Sequence, residues 1–392
     1  MKDIKALIDK YGDTVRRHRI WLHQHPEISG EEKQTSSYIA AVLKELGLEV
    51  RENVGGYGVV ALIRGAGDGK CVALRADMDA LPVTEKTGAE FSSLHDGVMH
   101  ACGHDTHIAM LLGAAYVLNE LKDSFQGTVK LIFQPSEENA AASGAKRMIE
   151  DGVLEDPKVD MILGQHIWPQ APVGKVLVRS GAMMAAGDRF FITVRGRSSH
   201  GSAPENGTDA IVIAAQVISA LQSVVSRTVS PLDSAVVTVG TISGGNGYNI
   251  IADEVTMEGT CRSLRPEVRK ALPGSMERIA KGVAEGMGGS CDFGFIGGYP
   301  PTLNHEDGYR LICDTVRDTL GEDALVLPEQ VSMIAEDFSF YGELVPAVYF
   351  WLGCHDDAKP FHALHSGSFL PEWEALPVGM TVLVNAALRF LR

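Results

Sequence analysis

The chain has 392 residues, of which 45% are hydrophobic and 22% are charged, a composition typical of a globular protein. Its length exceeds what one hydrophobic core usually serves, so we expect two domains. The formal net charge of -15 argues against nucleic acid or an anionic membrane surface as a partner. Scattered cysteines without a C-x-x-C pair, and a charged N-terminus without a signal-peptide core, predict an unanchored cytoplasmic protein.

Strands and helices alternate through the first half of the chain. Apolar residues at helical spacing lie at 2–20, 33–46 and 108–121. Short β-branched runs, which are typical of buried strands, lie at 59–63, 72–74, 129–133 and 161–163. This alternation predicts an α/β domain with a mostly parallel sheet flanked by helices, whose ligands gather at the carboxyl ends of the strands.

Polar side chains follow three successive strands of this predicted sheet. Asp77 and Asp79 come after the run at 72–74, and Glu137 and Glu138 come after the next strand. His166 follows the last of the four runs. Carboxylate and imidazole groups at three strand ends are hard to attribute to surface polarity, so they predict a functional site at this edge.

The stretch Met99–His107 carries two ligand-type side chains, Cys102 and His104, two residues apart. In an extended segment or a tight turn, both side chains can meet one metal ion. Asp105 is suited to accept a proton from an imidazole nitrogen and so orient the ring. The alternative is a buried thiol beside a histidine of the core, since free cysteine is among the most buried residue types.

Two further candidates stay ambiguous by spacing alone. Glu137 and Glu138 form either a solvated acidic loop or a pair in which one carboxylate binds metal and the other faces water, because adjacent side chains point in different directions. His365 is a single histidine, and His355 and His362 compete with it on composition.

The pattern changes after Gly187 to a compact β-α-β-β-α series. This order predicts a ferredoxin-like α+β domain at residues 187–300, inserted into a first domain made of residues 1–186 and 301–392. Within the insertion, His200 follows a strand among small residues. Glycine-rich turns lie nearby, and Asn249 and Arg262 are able to donate hydrogen bonds to a carboxylate.

Seven short motifs, most of which contain the candidate residues above, are spread almost from end to end of the chain. They are His23–Glu32, Leu74–Pro82, His100–Asp105, Phe133–Glu138, Gly244–Asn249, Glu336–Phe338 and His365–Phe369. A chain with these motifs in this order closely resembles the metal-dependent aminoacylase and carboxypeptidase family. In particular, it resembles the N-acyl-amino-acid amidohydrolase branch, which includes hippurate hydrolases and indole-acetyl-amino-acid hydrolases. The resemblance implies a phosphorylase/hydrolase-like catalytic domain with an inserted dimerisation or lid domain.

The same resemblance implies a centre with two divalent metal ions. Cys102 would bridge the ions, His104 and His166 would complete one site, and Glu138 and His365 would complete the other. One thiolate, three imidazoles and one carboxylate suit Zn²⁺, Mn²⁺, Co²⁺ or Ni²⁺.

The resemblance also implies roles for residues around the ions. Glu137 would be the general base, and His200 would reach the active site of the partner subunit in a homodimer or higher homo-oligomer. Asn249 and Arg262 would hold the substrate, while Asp79 would orient a metal ligand.

The predicted activity is therefore hydrolysis of N-acyl-L-amino acids to a carboxylic acid and an amino acid. Glu137 would take a proton from the attacking water and pass it to the leaving nitrogen, and His200 would help to hold the oxyanion. The alternatives are a di-metal exopeptidase, a thiol enzyme that uses Cys102 as nucleophile, and a non-catalytic metal-binding homologue. His100 and His107 are left with structural or supporting roles.

Overall fold

The computed structural model describes residues 3–392. The chain forms two compact units, which we call the first unit (residues up to 183, 303–330 and 337–392) and the second unit (residues 184–302 and 331–336). Each unit has its own hydrophobic core. The catalytic and lid roles expected for the two domains stay predictions.

The chain up to residue 184 consists of α1 (Ile4–Gln24), α2 (Lys33–Glu45), β1 (Glu49–Val54), β2 (Gly58–Arg64), β3 (Cys71–Asp77), α3 (His104–Glu120), β4 (Thr128–Gln134), α4 (Gly144–Glu150), β5 (Met161–Pro172), β6 (Val176–Leu177) and β7 (Gly181–Met184). Every residue of β3 and β4 is buried, as expected for strands covered on both faces. α1 buries an apolar stripe that includes Leu7, Val15 and Leu22, and the Asp3 side chain caps its first turn.

The next part of the chain consists of β8 (Ala186–Arg195), β9 (Ser199–His200), α5 (Ala210–Ser223), β10 (Ala235–Gly244), β11 (Ile250–Ile251), β12 (Glu254–Ser263), α6 (Pro266–Gly286) and β13 (Ser290–Tyr299). Four of these strands form an antiparallel sheet in the order β10-β12-β8-β13. Phe190, Ile192 and Val194 alternate along β8 with more exposed residues and enter the core of this unit. The predicted ferredoxin-like arrangement is confirmed, with β13 as its fourth strand.

The remaining elements are β14 (Thr302–Asn304), α7 (Glu306–Leu320), β15 (Leu325–Val326), α8 (Ser339–Gly342), β16 (Ala347–His355) and α9 (Ala375–Phe390). The sheet of the first unit has the order β1-β2-β4-β3-β5-β16-β6-β15. Its centre, from β4 to β16, is parallel, while β1 and β2 are antiparallel to their neighbours. The predicted α/β class with a mostly parallel sheet is confirmed.

Three local predictions differ from the structure. The sequence does not predict β1, because Glu49–Val54 is a polar and largely exposed edge strand without an apolar run. α3 begins at His104 rather than near Ile108. β5 continues well past Leu163, so His166 lies inside the strand, where it pairs with Trp351 of β16. Pairing with a neighbouring strand thus extends β5 beyond the apolar run visible in the sequence.

One helical segment, Ala210–Thr228, is long and apolar enough to cross a membrane by length and composition. No other helix within residues 3–392 passes this test, and one such helix is a weak indication because the core helix of a globular protein passes it too. Ile213, Val217 and Leu221 of this segment are buried in the core of the second unit. Packing in the core of the second unit therefore accounts for the apolar residues of this helical segment.

Candidate metal centre

A tight turn before α3 places Cys102 and His104 side by side. Gly103 lies between them with φ of +81°, a conformation that favours glycine. A Cβ atom at this position would also come within 2.1 Å of the Ile167 side chain. Both flanking side chains are buried, so the turn presents a thiol and an imidazole to one interior point.

Cys102, His104 and His166 form the first candidate group, with their ligand atoms all within 4.8 Å of one another. The Sγ atom of Cys102 lies 3.3 Å from Nε2 of His166. Nδ1 of His166 lies 2.6 Å from the carbonyl oxygen of Ile167, and Nδ1 of His104 lies 2.8 Å from that of Asp79. A carbonyl only accepts, so both rings carry a proton on Nδ1, and Nε2 is the nitrogen of each ring that an ion could bind.

Cys102, Glu138 and His365 form the second candidate group. Nε2 of His365 lies 3.1 Å from Oε1 of Glu138. The backbone N–H of His365 donates to the carbonyl of Ala101 at 2.8 Å, and this bond brings the chain back to the Cys102 turn. His365 has φ of +65°, which is rare for a residue with a side chain. Among residues 3–392, no candidate group includes His355 or His362.

We call Cys102, His104, Glu138, His166 and His365 the ligand cluster. All five residues belong to the first unit, and Cys102 is shared by both candidate groups. Nε2 of His104 is buried without a hydrogen-bond partner, a costly state unless the atom coordinates an ion. The donor set and this unsatisfied nitrogen fit a pair of divalent transition-metal ions.

The electrostatics of the ligand cluster favour a cation. Burial raises the pKa of the Cys102 thiol well above its usual range, and the carboxylates of Glu138, Glu137 and Asp77 raise it further. Burial lowers the pKa of His104, but Asp77 and other nearby carboxylates outweigh burial and raise that pKa to about 10. A buried thiol with a raised pKa is a poor free nucleophile, which argues against the thiol-enzyme alternative.

Glu137 is buried beside the ligand cluster. Its backbone N–H donates to Oδ1 of Asp79 at 3.1 Å, and the N–H of Glu138 donates to Oδ2 of the same carboxylate at 2.9 Å. Oε1 of Glu137 accepts from the backbone N–H of Asp337 at 3.4 Å. Asp79 also accepts from Ser29 at 2.6 Å, so it fixes the turn that carries both glutamates.

Asp105 is hydrogen-bonded to residues outside the ligand cluster. It accepts from Nδ1 of His23 at 3.0 Å and from Nε of Arg19 at 3.3 Å. The imidazole that it orients is therefore His23, which belongs to an earlier motif, rather than a predicted metal ligand. His100 is buried between these groups with no hydrogen-bond partner on either nitrogen, and burial lowers its pKa to about 4.

His107 has both ring nitrogens engaged. Its Nδ1 lies 2.6 Å from Oδ1 of Asp77, and its Nε2 accepts from the backbone N–H of Ile167 at 3.0 Å. Asp77, His104 and His107 also lie close enough to form a metal group. Because His107 has no lone pair left for an ion, it holds β5 beside β3 instead.

The other predicted site residues lie in the second unit. His200 is exposed on β9, and the carbonyl of Asn249 accepts from the backbone N–H of Gly201 at 2.7 Å. Nδ1 of His200 accepts from the N–H of Ser202 at 3.1 Å, so Nε2 carries the proton. Arg262 is half-buried on β12, beside Gly187. No described contact within this unit joins Arg262 to His200, and the roles of these residues stay predictions.

Sequence reasoning missed two buried charged residues near the site. Arg75 lies within β3 and is 1% exposed. Glu32 is fully buried, and its Oε1 accepts from the backbone N–H of Ser136 at 2.8 Å, where φ is +54°. A charge inside the apolar run of a strand was the available signal for Arg75.

The comparisons with known proteins agree with this geometry. The chain matches the model of peptidase family M20/M25/M40 over residues 73–389. It is 40% identical to N-acetyl-L-cysteine deacetylase of Bacillus subtilis (strain 168) over 387 residues, covering 98% of this chain and 89% of that protein. It is also 40% identical to thermostable carboxypeptidase 1 of Saccharolobus solfataricus over 394 residues, covering 98% and 99% respectively.

A solved structure shows the same fold. It is the YXEP protein of Bacillus subtilis, described as a dinuclear metal binding peptidase from the M20 family. The TM-score is 0.85 and the sequence identity is 35%, with 98% of this chain and 99% of that chain covered. The predicted resemblance, fold class and reaction class are confirmed. The chain belongs to peptidase family M20/M25/M40 and is a hydrolase that acts on amide bonds.

Proposed function

We propose that this chain hydrolyses N-acyl-L-amino acids, such as N-acetyl or hippurate-like substrates, with two divalent metal ions and Glu137 as the general base. One observation carries the proposal. The five side chains of the ligand cluster converge in two groups that share Cys102, with Glu137 buried beside them. Similarity to an N-acetyl-L-cysteine deacetylase over almost the whole chain supports the choice of substrate class.

The ligand cluster would hold the ions, drawn from Zn²⁺, Mn²⁺, Co²⁺ and Ni²⁺. Cys102 would bridge them, with His104 and His166 on one side and Glu138 and His365 on the other. When bound, such ions act as Lewis acids and lower the pKa of water to about 7.

Glu137 performs the proton transfers in this proposal. Its carboxylate takes a proton from the attacking water and passes it to the nitrogen of the leaving amine. The contacts of the Glu137 turn with Asp79 and Asp337 hold this carboxylate in place. His200 carries its proton on Nε2 and acts as a donor to the oxyanion, while Asn249 and Arg262 bind the substrate carboxylate.

His200 would act on the active site of a second copy of the chain, in a homodimer. β10 is an edge strand of the sheet in the second unit, and Val236 and Ile242 on it are exposed. Ile211 and Val212 at the start of α5 are exposed as well. A sheet edge with exposed apolar side chains is a natural surface for pairing with an identical copy.

Subunit complementation tests this arrangement. His200→Ala and Glu137→Gln chains should each lose most of their activity alone, and a mixture should recover part of it in mixed dimers. Analytical ultracentrifugation would verify the dimer and the exchange of subunits. Verified exchange without recovered activity would contradict the action of His200 across the dimer.

A second candidate function is that of a di-metal exopeptidase. The 40% identity to thermostable carboxypeptidase 1 favours it. The two functions differ in the group that is cleaved from the carboxyl-terminal residue. For an N-acyl-amino-acid hydrolase this group is an acyl group, and for the exopeptidase it is an amino acid with a free amine. Direct comparison of matched substrates therefore separates them.

The test is a screen of the protein loaded with Zn²⁺, Mn²⁺ or Co²⁺. Substrates are N-acetyl and N-benzoyl amino acids, each beside the dipeptide with the same carboxyl-terminal residue. We expect a higher kcat/KM for N-acyl substrates, loss of activity with a chelator and recovery on adding metal. Preference for the dipeptides would replace the proposal with the exopeptidase, and activity that survives verified metal removal would contradict both.

We also propose that the enzyme works in the cytoplasm. The described chain contains six free cysteines, all of them buried. Unpaired thiols are typical of a reducing compartment, which supports this location. Fractionation of cells that make the protein would test it.

A further inference from the structure

We propose that Asp337 is a positioning residue for the general base, and that Arg75 fixes Asp337 in the required place. This inference rests on the proposed role of Glu137. Asp337 belongs to the motif Glu336–Phe338, to which neither the sequence nor the proposed reaction gives a role. Asp337 acts through Glu137 and does not itself need to touch the substrate.

The side chain of Asp337 is fully buried and accepts hydrogen bonds at both carboxylate oxygens. Its Oδ1 accepts from Nη2 of Arg75 at 2.9 Å and from Nε2 of Gln134 at 2.7 Å. Its Oδ2 accepts from Oγ of Ser143 at 2.7 Å and from the backbone N–H of Ala145 at 3.1 Å. These donors come from β3, from β4 and from the start of α4, so they tie Asp337 to the elements on both sides of the Glu137 turn.

Arg75 supplies the positive charge that makes this arrangement stable. Its Nε donates to Gln134 at 2.9 Å and its Nη1 donates to Asp77 at 2.6 Å, in addition to the bond to Asp337. A buried guanidinium with matched carboxylate partners is rigid because any displacement leaves a charge unpaired. We call Arg75, Asp77, Gln134, Ser143 and Asp337 the arginine network.

A hydrogen bond joins the arginine network to the base. The backbone N–H of Asp337 donates to Oε1 of Glu137 at 3.4 Å. At the other end of the same residue, the N–H of Glu137 donates to Asp79. Glu137 is therefore held by its main chain and by its carboxylate, and the second of these contacts depends on where Asp337 lies.

Asp337→Asn changes this support with little change in volume. The NH₂ group of asparagine must face either Arg75 and Gln134 or Ser143 and Ala145, which now donate to the carboxylate. Because NH₂ is itself a donor, these hydrogen bonds would be lost, and the main chain of residue 337 would shift. A displacement of about 1 Å at a reacting group can cost about 10²-fold in rate. Substrate affinity would change little, because Asp337 contacts the base.

The test is a double-mutant cycle between Asp337→Asn and Glu137→Gln, with kcat and KM measured for an N-acyl amino acid at equal metal content. In the background of native Glu137, we expect Asp337→Asn to lower kcat by about 10- to 100-fold and to change KM by less than about threefold. In the Glu137→Gln background, the same substitution should change kcat by less than about threefold, because the group it positions is gone. A purely structural residue would lower kcat equally in both backgrounds.

Asp188→Asn is the matched control. Asp188 is also buried and accepts from Nε and Nη2 of Arg269, at 3.0 and 2.7 Å, and from the N–H of Gly298 at 2.9 Å. It lies in the second unit and has no role in the reaction. We expect it to lower stability without changing kcat.

Ser143→Ala keeps the inference testable if Asp337→Asn does not fold. It removes one neutral donor to Asp337 and should lower kcat by about threefold with native Glu137, and not at all in the Glu137→Gln background. Equal losses in both backgrounds, or no loss with native Glu137, would overturn the positioning role alone. Native turnover in Glu137→Gln itself would overturn the general base, and the positioning role with it.

Discussion

The ligand cluster and the arginine network are two polar clusters of the first unit, and their charges are balanced differently. The arginine network is buried, whereas the ligand cluster runs from buried Cys102, His104 and His166 to the exposed His365. The arginine network contains its own cation, because the guanidinium of Arg75 meets the carboxylates of Asp77 and Asp337. The ligand cluster has a thiol, three imidazoles and a carboxylate, and Nε2 of His104 lacks a hydrogen-bond partner. A convergent set of ligand-type atoms among carboxylates that favour positive charge therefore indicates a place for metal cations.

Glu137→Gln should give the largest effect and separates catalysis from metal binding. Glutamine keeps the size of the side chain but has no proton-accepting carboxylate, so kcat should fall by about 10²-fold or more. Metal content and thermal stability should stay near native values. Glu150→Gln, on the exposed end of α4, is the control and should keep full activity. Near-native turnover in Glu137→Gln would remove it as the base.

Arg75→Met should break the arginine network. Methionine fills much of the same volume but leaves Asp77 and Asp337 buried without their cation, so unfolding free energy should fall by about 3–5 kcal/mol. Urea unfolding would measure it. Arg310→Met is the control, since Arg310 pairs with Glu306 on the surface, where such pairs contribute about 0–1 kcal/mol. Similar losses in the two variants would mean that the network contributes no more than a surface pair.

Metal removal should affect the ligand cluster and leave the arginine network intact. An ion at about 100 times its Kd stabilises the folded state by about 2.7 kcal/mol. The melting temperature should therefore drop on chelation and recover when Zn²⁺ or Mn²⁺ is added back, and the same should hold for Asp188→Asn. Equal melting temperatures with and without metal would show that the cluster binds no ion.

A third polar cluster, formed by His23 with Asp105 and Glu85, extends the comparison to pH. Burial lowers the pKa of His23, but contacts with Asp105 and Glu85 outweigh burial and raise it to about 9. The folded chain therefore keeps a proton that the unfolded chain loses near pH 6.5. This stability, on the order of 3 kcal/mol, is present below about pH 6.5 and is lost as the pH rises to about 9.

His23→Gln isolates this effect, because glutamine has no charge to lose over the same range. Urea midpoints from pH 6 to pH 9 should fall more steeply for the native chain than for the variant. Parallel curves would show that His23 is not held in its charged form.

The five residues of the ligand cluster are the set that the family resemblance implies, and the structure brings their side chains together, while their role as metal ligands stays a prediction. The spacing of the motifs does not choose between His365 and its neighbours. That choice depends on a backbone contact between His365 and Ala101 and on a positive φ, neither of which leaves a pattern in composition. The sequence places His166 after its strand because the apolar run stops before it, although pairing with β16 continues the strand.

The arginine network could not be predicted in the same way. Its members are separated by as many as 262 residues, as between Arg75 and Asp337. Gln134, Ser143 and Asp337 also read locally as ordinary polar residues, so the sequence does not show which groups meet the charge of Arg75. What defines the network is the matching of donors and acceptors in a buried volume, and this matching exists only after the sheet has formed.

The central claim is that Cys102 is the shared ligand of two ions, and metal content per chain tests it most directly. Elemental analysis of the native protein, of Cys102→Ala and of Cys354→Ala, a buried cysteine outside the cluster, should be done after identical loading and desalting. We predict two ions per chain in the native protein and in Cys354→Ala, and loss of bound metal in Cys102→Ala. A Cys102→Ala protein that keeps both ions would contradict the bridging role.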